Sequence, residues 1–160
     1  MSDSEYDAAV MLLLSSYNKR RALEKLSLDE EEIKEAQPIS LGGYSFRDAS
    51  LTKKGADGVS RSNKYSSIWI FFTEQEIHCY KAVFCTTEPL VSEATDVWFY
   101  RDIVSVSTET DNYNEIYYEL FKITSTGGAN LSVPLRDSGN AQQSINSMRS
   151  LIKLKKQSMM

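Results

Sequence analysis

The sequence predicts a mainly β domain, of the all-β or α+β class. Its expected form is a bent seven-stranded antiparallel barrel or sandwich, capped by a C-terminal helix and preceded by an N-terminal helical extension. Three observations predict it. Between residues 44 and 135, seven short runs are rich in β-branched and aromatic residues. The links between runs, among them "TEQE", "TDNYN" and "STGG", are short and polar or Gly-containing, as hairpin turns are. After the last run the apolar period becomes that of a helix. Hairpin-length links argue for antiparallel pairing in a barrel or sandwich.

The elements follow in order. Residues 4 to 26 place Tyr6, Val10, Leu13, Leu14, Tyr17 and Leu23 at helical spacing. Ser27-Leu28-Asp29-Glu30 has the capping-box order, which predicts a second short helix over roughly 28–36, stopped before Pro38. Past Gly42-Gly43 the strands are expected at 44–51, 64–72, 77–86, 96–100, 103–109, 115–124 and 129–135. Ile68, Ile70 and Phe72 share one face of their strand, as do Val104 and Val106 of theirs. In the closing helix Asp137 or Ser138 is placed to cap the first turn, and Ala141, Ile145, Met148 and Ile152 form one stripe. Arg149, Lys153, Lys155 and Lys156 lie near its end, where positive charge complements the helix dipole. The chain thus divides into a helical extension, 1–40, and a β domain, 41–160, with Gln37 to Gly43 as the linker.

Composition narrows the function. At 160 residues one domain can bury a sizeable core without metal or disulfide staples. Acids exceed bases, 22 to 18, and the excess lies in residues 1–40, with nine acids against five bases. That balance excludes a broad polyanion-binding face, so no nucleic-acid partner is expected. The apolar run Ala8 to Leu14 follows Asp3, Glu5 and Asp7, the wrong charge for a secretory signal. Seven residues are also too few to span a bilayer, which needs about 20. A cytoplasmic chain is expected. Cys79 and Cys85 on one strand would stand on the order of 20 Å apart, beyond the roughly 7 Å that a disulfide tolerates, so free thiols are expected.

Three segments carry a resemblance. "WFYRDIVSVST" is similar to the strand pair that opens the second sheet of bacterial pleckstrin-homology-like (PH-like) domains. "YELFKITSTGGANLSVPLRD" resembles their final hairpin, and "AQQSINSMRSLIKLKK" the helix that plugs one open end. The resemblance covers about 44–156. It implies a strongly bent sandwich that binds lipids, peptides or proteins and performs no chemistry. In phosphoinositide-binding members the first hairpin loop offers Lys and Arg to phosphates, and here Lys53, Lys54, Arg61 and Lys64 flank the corresponding loop. Several cations converging on a flexible Gly-containing loop can each make charge-assisted bonds to phosphate. Against this, Ser62 and Asn63 separate Arg61 from Lys64, Asp57 adds negative charge, and a solvated loop would hold Lys and Gly anyway.

Other constellations lack a site. His78 and Cys79 point to opposite faces of a strand, and the cysteines lack C-x-x-C spacing, so no metal is expected. No G-x-S-x-G elbow accompanies a nucleophile. Asp29 to Glu32 favour a helix N-terminus and water, and Gly127-Gly128 is a hairpin turn. The expectation is therefore a non-enzymatic binding or scaffold module, without cofactor, that binds a protein partner or itself. The interaction helix is then Tyr6, Val10, Leu13, Leu14 and Tyr17, whose stripe would invite another chain if left uncovered. The alternative is peripheral binding of an anionic phospholipid or phosphate ligand through the basic loop.

Overall fold

A computed structural model describes residues 1–136 and 139–158. The expected caps Asp137 and Ser138 lie outside the described residues. The order is α1 (Asp3–Leu14), a 3-10 turn (Ser15–Tyr17), α2 (Lys19–Leu26), β1 (Ile39–Tyr44), β2 (Thr52–Lys54), β3 (Ser60–Ser62), β4 (Lys64–Phe72) and β5 (Glu76–Cys85). Then come β6 (Val91–Phe99), a 3-10 turn (Tyr100–Asp102), β7 (Ile103–Tyr113), β8 (Ile116–Ser125), β9 (Asn130–Leu135) and α3 (Gly139–Ser158). The chain is mainly β, with helices at both ends.

The strands among the described residues form three antiparallel sheets, ordered β1-β4-β5-β6, β2-β3 and β7-β8-β9, and they do not close into a barrel. The two larger sheets enclose the main core. Ile68, Ile70 and Phe72 of β4 face Phe121 and Ile123 of β8 and Leu131 and Val133 of β9, and the α3 stripe Ile145, Met148 and Ile152 completes the cluster. β4 and β5 are buried on both faces. On the outer side, α2 sets Ala22 and Leu23 against Phe71, Tyr80 and Ala82, and α1 sets Val10 against Tyr44, Tyr65 and Phe84. Double coverage explains why "IWIFF" within β4 is apolar without a break where alternation alone would suffice for a one-sided strand.

Along one side the two larger sheets meet at β1 and β9. Gly43 lies so close to β9 that a Cβ there would stand 2.8 Å from the Pro134 carbonyl oxygen, and the Arg136 N–H donates to the Gly42 carbonyl at 2.9 Å. Hence the pair read as linker sits inside β1, which starts at Ile39 and ends where a strand over 44–51 was expected. The other departures have local causes. The single helical run 4–26 breaks at Asn18, whose extended backbone caps α2 through a bond from the Arg21 N–H at 3.0 Å. Ser27 adopts a left-handed conformation, φ 55°, and terminates α2, so it cannot start a helix over 28–36. Turns occupy that segment, and the reciprocal capping bonds form two residues later, between Asp29 and Glu32. β6 begins at Val91 where Asp96 was expected, and β2 and β3 are two additional three-residue strands.

Replacing Ile145 by Ala, a fully buried side chain of the main core, is expected to cost about 2–5 kcal/mol, read from urea unfolding. A chain beginning at Leu41 uncovers Phe71, Tyr80 and Phe84. It is expected to bind a hydrophobic dye and to lose cooperative thermal unfolding.

Candidate functional site

The hairpin β2–β3 carries the basic loop. Lys53 pairs across it with Arg61, and Lys54 with Ser60. Consecutive strand residues face opposite ways, so Lys53 and Lys54 diverge. Lys64 starts β4 opposite Cys85, on the face that carries Ile68 and Ile70, and its charge is felt by Lys81. Only Lys53 and Arg61 line a common cleft, about 540 Å³ in volume, beside Ser2, Tyr6, Asn63 and Thr86.

Arg61 is not available to a ligand. It is 9% exposed, and its guanidinium donates from Nε and Nη2 to Asp7, both at 2.8 Å, and from Nη2 and Nη1 to Asp57 at 2.8 and 3.0 Å. Nη1 also donates to the Val59 carbonyl at 3.1 Å. All five guanidinium donors are thereby occupied. Asp7 in turn accepts from the Tyr44 hydroxyl at 2.7 Å and lies 3.6 Å from Arg136. The Arg61 hydrogen bonds hold the Asp7 carboxyl below the ordinary carboxylate range and Asp57 down to about 2. Asp7 was missed as a partner because it is 54 positions from Arg61. The one sequence signal was the negative charge of Asp57 in the loop.

Four of the five residues of the helix stripe pack on their own chain. Val10 is fully buried, the Tyr6 ring stacks on Tyr44 with centroids 6.1 Å apart, and its hydroxyl donates to the Ser62 carbonyl at 2.7 Å. Tyr17 stacks on Phe84 at 5.5 Å, and Leu14 packs on the same cluster. Leu13, 43% exposed, turns away.

Titratable groups elsewhere serve packing. Glu93 on β6 receives Arg21 Nε and Nη2 at 2.6 and 2.7 Å and the Tyr80 hydroxyl, and Arg21 foremost holds it down to about 2. Asp111 takes Arg47 at 3.1 Å and the Tyr118 hydroxyl at 2.9 Å. Burial pushes the Cys79 thiol up and His78 down, and both cysteines are free. Among the described residues no group of three or more His, Cys, Asp or Glu is placed to hold a metal, and no helix is long and apolar enough to cross a membrane.

The outer edge of β6 is left open. The Cys85 N–H donates to the Leu90 carbonyl at 3.2 Å, which makes that pair the hydrogen-bonded kind and sets the parity of the β5–β6 ladder. The backbones of Val91, Glu93, Thr95 and Val97 therefore point away from β5, and none finds a partner among the described residues. The margins of the two larger sheets elsewhere have cover at particular points. β1 meets β9, Arg149 Nε donates to the Val106 carbonyl of β7 at 2.9 Å, and Lys156 Nζ donates to that of Ile103. On β6, Val91 is 52% and Val97 44% exposed. Comparison with protein families, with characterised proteins and with solved structures finds no match to this chain.

Arg61→Ala strands two carboxylates and is expected to destabilise the fold by roughly 3 kcal/mol, read from denaturant unfolding. The acid limb carries the same signature. Asp57 and Glu93 have folded values near 2, below their unfolded ones, so their contribution is complete above the unfolded values and disappears as pH falls toward 2. Circular dichroism is expected to show acid unfolding in that window, moved to higher pH by Asp7→Asn.

Proposed function

We propose that this chain is a non-enzymatic protein-binding module of PH-like architecture, and that its binding element is the open edge of β6. The carrying observation is the row of outward backbone groups from Val91 to Val97, beside apolar side chains exposed on the same strand. A sheet edge in this condition accepts an extended segment by strand addition. Main-chain bonds then supply affinity, and alternate side chains supply selectivity. The architecture supports the PH-like reading: apart from the two short hairpin strands, four strands lie in one sheet, three in the next, and a helix follows. The free thiols fit a reducing, cytoplasmic setting. The anionic-ligand reading is weaker, because Arg61 is already saturated and the remaining lysines point apart.

Selection of random peptides by display against the full chain tests the proposal. The expected binders are extended segments with alternating apolar residues, and their affinity falls about tenfold or more with Thr95→Pro, which removes an outward N–H and leaves the β5 ladder intact. Binding that ignores Thr95→Pro overturns the reading. So does salt-sensitive binding to anionic vesicles that is lost on changing Lys53 and Lys54 to Ala.

A further inference from the structure

The β6 edge has a register of its own. Over Val91–Phe99 it contains no Pro, no Lys and no bulge, three of the devices by which natural sheets blunt an edge. Its one inward-pointing charge, Asp96, makes no hydrogen bond or ion pair among the described residues. Next to the strand Leu90 is 59% exposed. An edge whose one protecting device is an unpartnered acid, beside three exposed aliphatic groups, calls for an occupant whose side chains match all of them.

We infer that the occupant is the β6 strand of a second copy, paired antiparallel about a two-fold axis at Ala94. This rests on the reading of β6 as the binding edge. Parity decides which registers exist, since only residues with outward backbones can exchange bonds, and these are odd-numbered. In the register centred on Ala94, Val91 faces Val97 of the second copy and Glu93 faces Thr95. Val91, Glu93, Thr95 and Val97 of each chain are then hydrogen-bonded, and Phe99, the fifth outward residue, stands opposite Pro89. On the other face Leu90 meets Trp98, Ser92 meets Asp96, and Ala94 meets its own mate. Each exposed aliphatic side chain thus gains an apolar neighbour, and Asp96 gains a hydroxyl donor. No like charges stand directly opposite, a pairing that would be destabilising. Glu93 remains neutralised by Arg21 of its own chain. The next allowed register, centred on Thr95, sets Val97 against Glu93 and Trp98 against Ser92, and loses these matches. Pro89 has no N–H to donate and ends the ladder on each side.

The register makes a specific demand. Directly opposed residues in a non-hydrogen-bonded pair have Cα atoms about 4.5 Å apart, within the range of a disulfide. In the full chain carrying Cys85→Ser, oxidised Ala94→Cys is expected to give a covalent dimer, and Thr95→Cys, displaced from its own mate, to give none. Light scattering on the unmodified chain should show twice 18.1 kDa at high concentration, reverting on dilution. Thr95→Pro should weaken the dimer about tenfold or more. A circular dichroism spectrum and melting point unchanged from the parent confirm that the variants fold. A chain monomeric at every concentration, with no Ala94→Cys product, overturns the second-copy assignment, as does cross-linking through Thr95→Cys alone or a dimer indifferent to Thr95→Pro. Display peptides that still bind with Thr95→Pro sensitivity would then leave the open edge standing, and their absence would remove both.

Discussion

The fork made by Arg61 is the constraint on which the rest of this molecule depends. Its plane is fixed by two carboxylates from different places in the chain, Asp7 on α1 and Asp57 in the β2–β3 hairpin. A guanidinium this far from water is tolerated only when all its donors end on acceptors. Meeting that condition pins α1 along the hairpin. From there the chain direction is set, and Val10 and Tyr17 are laid on the outer face of the four-stranded sheet. α2, tied by Arg21 to Glu93 of β6, extends the same cover to Phe71 and Tyr80. Two arginine–carboxylate clamps thus hold the helices while the apolar contacts supply most of the stabilisation.

This arrangement changes what the first forty residues are. They supply the second half of the cover for β4 and β5, and without them a wall of aromatic side chains would face water. The apolar stripe read as an offer to another chain is satisfied at home except at Leu13. Attention shifts to the outer backbone edge of β6, which the helix contacts do not cover. α3 reaches β7 with Arg149 and Lys156, the two sheets seal one another at β1 and β9, and the outward backbone groups of β6 from Val91 to Val97 stay without a partner among the described residues.

Much of the fold was legible because its strands and its last helix are written in apolar periodicity. Ile68, Ile70 and Phe72, and Ile145, Met148 and Ile152, sit where their spacing put them. What was hidden shares a physical cause: the deciding interaction lay outside the local window. Gly42-Gly43 reads as a break because strands disfavour glycine, yet close approach of β9 requires it there. Ser27-to-Glu30 reads as a helix start, but a left-handed Ser27 ends the preceding helix. β6 is half polar, since an edge strand exposed on both faces has no buried stripe to reveal it. In the candidate site the cations were visible and their acids were not recognised as partners, because Arg61 and Asp7 become neighbours only after the extension folds back.

The glycine seam between the large sheets has a mechanical consequence. Two leaves seamed along one side and joined on the other by the short turn Tyr100–Asp102 behave like a book, with Gly43 in the spine and β6 and β7 at the fore-edge. Any bulk added in the spine would pry the leaves apart by a small angle that grows into a wide displacement at the opposite margin. The gap at the far side is therefore governed by atoms that never touch it, and a single methyl group at the binding would be felt chiefly on the page that opens.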